Sequence, residues 1–189
     1  MNYGLPKSLM VNGREEPIRW EYMPVLNAIA ALNDRDLEDY EKVTCCLLIL
    51  YENFGYFKRE DYAPAFEAAI SFINNNADSE TKDNIKLVDY EQDWNIMIPA
   101  INRVAGREVR EEEDIHWWTF LGWFMEIGDC TFSTVLSIRN KRAKGKKLES
   151  WEKEFLEEKK SMVLIQPKLT EEEKRQLEED ERILKELLG

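Results

Sequence analysis

The sequence predicts a mainly α-helical, compact multi-helix domain with a small N-terminal β-hairpin and a charged C-terminal helix, and three observations carry that prediction. Apolar residues between Pro24 and Met162 recur three and four positions apart, the spacing that gathers side chains on one face of a helix. Asn12-Gly13 lies between two short runs, and both residues tolerate the positive φ that a tight hairpin turn demands. Gln166-Pro167-Lys168 then breaks the helical pattern, and Thr170-Glu171-Glu172-Glu173 has the form of a capping box opening a final helix to Leu188. The chain therefore divides into a helical domain with its hairpin over 1–165 and a detachable charged helix over 166–189.

Composition sets the outer limits. The 189 residues are 43% hydrophobic and 11% aromatic, which provides for a buried core, while 34% charged residues provide a large solvated surface. A formal net charge of -12 repels phosphate backbones and anionic membrane surfaces, so neither nucleic acid nor a membrane is an expected partner. Met1-Asn2-Tyr3-Gly4-Leu5-Pro6-Lys7 lacks the charged and apolar regions of a secretory signal. The most apolar run, Ile115 to Ile127, holds 13 residues and includes His116 and Glu126. A spanning helix needs roughly 20 apolar residues. Cys45 and Cys46 in an apolar helix, with Cys130 far away, read as reduced, buried thiols.

Taken in order, the hairpin occupies Ser8 to Ile18, with Pro17 at a strand end because it has no backbone donor. A two-stranded hairpin is marginal alone and must pack on the helices. The first helix runs from Pro24 to Leu32 with Val25, Leu26, Ile29 and Ala30 inward, closed by Asn33-Asp34. The second, Leu37 to Asn53, turns Val43, Leu47, Leu50, Tyr51 and Phe54 inward before a stop at Gly55. The third starts near Asp61, carries Tyr62, Phe66, Ala69, Ile70 and Ile73, and ends at Asn74-Asn75-Asn76. Asp89-Tyr90-Glu91-Gln92 reads as a capping box for a fourth, whose inner face is Tyr90, Trp94, Met97, Ile98 and Ile101; Pro99 should kink or divide it before Gly106 closes it.

The fifth helix contains Asp114-x-His116-Trp117-Trp118-x-Phe120 and is apolar nearly all round. It should be enclosed by other elements at the centre of the domain, with His116, Trp117, Trp118, Phe120 and Phe124 as its core signature and Gly122 permitting a close helix crossing. A sixth helix covers Thr131 to Arg142 with Phe132, Val135, Leu136 and Ile138 inward, and a seventh covers Ser150 to Met162 with Trp151, Phe155 and Met162 inward.

Few residues suggest chemistry. His116 is the one histidine, with no metal-ligand spacing around it, and no nucleophile elbow, glycine-rich phosphate loop or Walker lysine occurs. No catalytic, metal or cofactor site is expected, and the chain reads as no enzyme. Glu111-Glu112-Glu113-Asp114 reads as favourable charge at a helix N-terminus. Arg139, Lys141, Arg142, Lys144, Lys146 and Lys147 form the one basic patch, either a solvated inter-helix loop or a contact for an acidic protein partner. In the last helix, Leu177, Ile183, Leu184, Leu187 and Leu188 crowd toward the C-terminal end and must either fold back on the domain or meet another chain, which makes them the candidate partner-binding residues.

Leu5-Pro6, the Val11-Asn12-Gly13 turn, the apolar helix from Cys45 to Tyr51, Asp89-Tyr90 with Asp93, Ile115-His116-Trp117-Trp118-x-Phe120 and Ile138-Arg139 together resemble the gene-product-fifteen family of siphophages and prophages. The likeness covers Leu5 to Lys160; Pro99 and the long terminal helix depart from the family pattern. The resemblance implies a protein of the tail-morphogenesis gene region, similar to tail assembly chaperones and acting in the host bacterial cytoplasm. On that reading its partners are the phage tape-measure protein and, secondarily, the major tail protein, with a homo-oligomer allowed. The alternative it leaves open is a structural tail or head-tail connector component of the virion.

Overall fold

In a computed structural model that describes residues 4–76, 86–166 and 169–188, the chain is mainly helical, with one two-stranded antiparallel sheet. Strands β1 (Ser8–Val11) and β2 (Arg14–Pro17) pair from Ser8 opposite Pro17 to Val11 opposite Arg14. The turn is made by Asn12 at φ 49° and Gly13 at φ 79°, the double positive φ that matches the right-handed twist of the strands. Pro17 stands at the end of its strand, as its missing donor requires. The Asn12 amide donates to Asp61 Oδ1 at 2.9 Å and Arg14 pairs with Asp61 Oδ2 at 3.0 Å, so a buried carboxylate fastens the hairpin to the helices.

Helix α1 (Tyr22–Leu32) packs on α2 (Asp39–Leu50). The inner face of α1 is Tyr22, Val25, Leu26 and Ala28; Ile29 is half-buried and Ala30 is exposed, because at 100° per residue Ala30 lies past the edge of the face that Tyr22 and Val25 define. Helix α2 stops before Gly55. Tyr51 turns to extended backbone at ψ 130° and forms an isolated bridge with Ile18, and Gly55 falls inside a following short 3₁₀ turn, Phe54–Tyr56. The last carbonyls of α2 would otherwise be orphaned. The Arg19 backbone N–H donates to Leu50 at 2.8 Å, and its guanidinium donates to the carbonyls of Ile49 at 2.8 Å and Tyr51 at 3.1 Å.

Helix α3 (Tyr62–Ile73) buries Ala65, Ala69, Phe72 and Ile73, leaving Tyr62, Phe66 and Ile70 half-buried. Its end at Asn74 to Asn76 follows from the left-handed conformation of Asn75 and Asn76. Helix α4 (Trp94–Ala105) begins later than the capping box suggests. Asp89 accepts the N–H groups of Glu91 and Gln92, but the reciprocal bond to the Asp89 N–H comes from Asp93 at 3.0 Å, and residues 90–93 form a turn. The helix runs undivided through Pro99 and closes at Gly106, φ 71°.

Helix α5 (Trp117–Met125) corrects two expectations. His116 is outside it, as its N-cap, and the helix is not enclosed. Trp117 and Phe120 are buried, Trp118, Leu121, Trp123 and Phe124 are half-buried, and Met125 is 75% exposed. Gly122 faces open space instead of a crossing helix. The acidic run Glu111 to Asp114 also stops short of the helix, leaving no acidic residue in its first turn. Helix α6 (Thr131–Ala143) is capped by Cys130, whose Sγ accepts the Ser133 N–H. Of the three thiols only Cys46 is buried, and burial pushes it up to about 11.

The expected seventh helix is divided at Lys159 into α7 (Ser150–Glu158) and α8 (Lys160–Val163). Trp151, expected inward, is 52% exposed. Glu152 is buried in its stead, held by Lys141 at 2.7 Å and by the Glu149 N–H at 2.9 Å. Helix α9 (Glu171–Leu188) opens with the expected capping box: the Thr170 N–H donates to Glu173 and the Glu173 N–H to Thr170 Oγ1. The main core runs from Val11 and Ile18 through α1 to α5 and Phe132. A smaller cluster of Val135, Ile138 and Val163 lies among α6, α7 and α8, and Ile96 touches both.

Candidate partner-binding surfaces

The residues that sequence reading singles out at 116–118 form a fastener. Nε2 of His116 lies 2.8 Å from the Pro6 carbonyl, which can only accept, so this nitrogen carries the hydrogen. Nδ1 lies 3.0 Å from the Trp118 N–H, which can only donate, so this nitrogen is bare. Only the neutral ring makes both contacts at once. Burial agrees, lowering the His116 pKa below 6.5, with Lys7 adding to the effect and the Pro6 bond and Glu21 opposing it. Trp20 stacks on the imidazole at 5.6 Å, and Phe72 and Trp118 meet it edge-on.

The two indoles that follow reach the end of α3. Trp117 Nε1 donates to the Ile73 carbonyl and Trp118 Nε1 to the Phe72 carbonyl, each at 2.8 Å. The Ile73 carbonyl thus gains a partner that the helix cannot supply, and the Phe72 carbonyl a second one beside the Asn75 N–H at 3.0 Å. The Trp-Trp pair is a side-chain cap for a neighbouring helix, a role its spacing does not disclose. Trp117 and Phe120 lie in the core, whereas Trp118 and Phe124 lie at its margin.

A second fastener uses Arg139, which the basic patch conceals. Its guanidinium is buried and bidentate on Asp93, at 2.6 and 2.8 Å. Its remaining donors reach the carbonyls of Val163 at 2.7 Å, Leu87 at 2.8 Å and Met162 at 2.9 Å. This one side chain therefore ties α6 to the start of α4, to α8 and to the segment before Asp89. Lys141 is spent on Glu152, which leaves Arg142, Lys144, Lys146 and Lys147 as the exposed cations of the patch.

Among the described residues no group of three His, Cys, Asp or Glu side chains is placed to hold a metal, and no helix is long and apolar enough to cross a membrane. Two shallow grooves adjoin each other. One, of about 490 Å³, lies between α1 and residues 86–91 and is lined by Leu26, Ile29, Arg35 and Tyr90. The other, of about 530 Å³, lies among α1, α3 and α5 and is lined by Ile29, Leu32, Ile70, Tyr90, Phe124 and Met125.

Helix α9 supplies an apolar feature away from the core. Its first turn is held at the α1–α2 connection, where Arg35 pairs with Glu173 at 3.0 Å and the Glu171 N–H donates to Asp36. Beyond that anchor its described side chains are exposed, Leu177 at 50%, Ile183 at 45% and Leu184 at 55%. Of the two fates open to this stripe, these three residues do not fold back on the domain. The side chains of Leu187 and Leu188 lie outside the described residues.

The residues that carry the family likeness converge on the two fasteners and the hairpin lock: Pro6 with His116, Asn12 with Asp61, and Asp93 with Arg139. No curated protein and no solved structure matches the chain. The family model described as Bacteriophage Gp15 protein matches residues 1–165, nearly the whole domain that precedes α9. The chain therefore belongs to the Bacteriophage Gp15 protein family.

Proposed function

We propose that this phage structural or morphogenesis protein is a tail assembly chaperone that has no catalysis of its own and binds the tape-measure protein in the cytoplasm of the infected host. The observation that carries the reading is the apolar stripe of α9, exposed at Leu177, Ile183 and Leu184 on a helix whose contacts with the domain, among the described residues, lie near its first turn. An amphipathic helix of that kind docks by its i, i+3, i+4 and i+7 positions into an apolar surface of another chain. A long tape-measure chain exposes such surface before tube subunits polymerise around it, and unmasked apolar surface aggregates. The net charge of -12 keeps the masked complex soluble. The major tail protein is the second partner proposed.

Co-expression with the tape-measure protein of the same phage, followed by size-exclusion chromatography, tests this reading. A soluble complex that is lost on replacing Leu177, Ile183 and Leu184 by Ser is the expected result. Failure to form or solubilise any complex overturns it. Stoichiometric recovery of the protein from purified particles by mass spectrometry would instead establish the alternative, a structural tail or head-tail connector component.

A further inference from the structure

Helix α9 is not simply apolar on its inner face. At 100° per residue, Asp180 falls between Leu177, Ile183, Leu184 and Leu187, inside the stripe. Glu173 falls there too but is taken by Arg35, whereas among the described residues the Asp180 carboxylate accepts only a neutral amide, that of Gln176 at 3.1 Å. A surface that buries this stripe must bring cations as well as apolar area, because a carboxylate desolvated without a partner is strongly unfavourable. The whole helix points the same way: Glu171 to Leu188 holds eight acidic and four basic residues.

One surface of this chain has both properties. The α6–α7 connection displays Arg142, Lys144, Lys146 and Lys147, all exposed and, among the described residues, none in a salt bridge, around a left-handed turn at Gly145. It leads directly into the first turn of α7, where Trp151 is 52% exposed and its indole N–H is oriented by Glu149 at 3.0 Å. A rigid exposed indole beside clustered cations is the composition of an interface anchor. In a chain of net charge -12, this cationic cluster is the natural complement of an acidic helix.

We infer that the α6–α7 connection of one copy, with Trp151, receives the α9 helix of a second copy. The α9 stripe is exposed at Leu177, Ile183 and Leu184 and is not packed on its own domain there, so the receiving surface is assigned to another molecule. The contact joins unlike surfaces, so each copy offers one helix and one socket; the assembly either closes reciprocally as a dimer or continues head to tail. Bound in this way, α9 is withheld from other partners, so self-association and tape-measure capture compete for the same stripe. The inference rests on α9 being a docking helix, as proposed above, and not on the identity of the tape-measure partner.

Sedimentation velocity on the full chain alone tests it. The weight-average mass should rise above the 22.4 kDa of one chain with concentration at low salt and return to it at high salt. Lys144→Glu, Lys146→Glu and Lys147→Glu combined should give a monomer with unchanged melting, as should Glu178→Lys, Asp180→Lys and Glu181→Lys combined. Mixing these two variants should restore association, since each then carries the complement of the other. Trp151→Ala should weaken self-association of the unaltered chain about tenfold, the effect of losing an interface anchor worth on the order of 1.4 kcal/mol. A chain that stays monomeric at all concentrations, or association that survives the loop reversal, overturns the inference. Tape-measure capture retained by the loop-reversed variant leaves the proposed function standing whatever happens to self-association; its loss in a chain that still self-associates defeats that function alone.

Discussion

Protonating His116 would remove the acceptor that caps α5, because Nδ1 is the atom that receives the Trp118 N–H. Its pKa lies below the ordinary 6.5 in the fold, so the neutral ring is favoured by folding. The resulting stability is complete above about pH 6.5 and is lost as pH falls through the lower folded value. Melting temperatures taken between pH 7.5 and 5 should therefore fall, and His116→Ala should flatten that dependence while costing about 1 kcal/mol for the lost cap. An equally steep decline in the variant would assign the dependence to other groups. The two tryptophans differ in the same measurable way. Trp117 is 1% exposed, so Trp117→Ala should cost about 3 to 5 kcal/mol, and Trp117→Phe about 1 to 3 kcal/mol for the Ile73 carbonyl left without its donor. Trp118→Ala should cost less, since its indole is only half-buried; chemical denaturation ranks the three.

Between elements, single polar side chains do the joining. Removing one partner of the buried Asp93–Arg139 pair leaves an uncompensated charge, so Asp93→Asn or Arg139→Met should destabilise by about 3 to 5 kcal/mol, and the double variant should recover part of that loss. Additive losses in a double-mutant cycle would show that the two residues act separately. The hairpin is locked by Asp61, whose pKa is lowered to about 2, chiefly by the Lys58 N–H and then by Asn12 and Arg14. A depressed carboxylate contributes stability above its unfolded value of 3.8 and loses it as pH falls through about 2. Amide exchange in residues 8–17 should accelerate over that window before the helices open; protection that persists to pH 2 would contradict the lock. The ranges of α1, α3 and α6 and the end of α4 at Gly106 were legible because their apolar spacing is long and regular, and the hairpin because Asn-Gly admits little else. The inward placement of Trp151 was not legible, since periodicity ranks Trp above Glu for burial and carries no information that Lys141 waits on α6 for Glu152. Arg139 was hidden for the same reason: a basic run reads as surface until its acid, 46 positions away, is brought to it.

At the scale of the whole molecule, the domain and α9 are joined by contacts that water largely screens. Arg35 and Glu173 are about half exposed, and such pairs are worth roughly 0 to 1 kcal/mol. Deleting Thr170 to Gly189 should therefore leave the cooperative melting of the domain in place, with the midpoint moved by a few degrees at most, on the order of what 1 kcal/mol produces. Loss of the cooperative transition would mean that α9 belongs to the core. The sequence by itself determined the local matters: the helical class, the hairpin turn, the caps at Thr170 and Gly106, and the amphipathic character of α9. Each depends on residues a few positions apart, where propensity and capping act. The tertiary structure decided which apolar residues are enclosed, why His116 is neutral, that the Trp-Trp pair caps α3, and that Arg139 is a buried hub. Those outcomes depend on partners up to 110 positions away, and the free energy of burying a polar group is set by whether such a partner arrives.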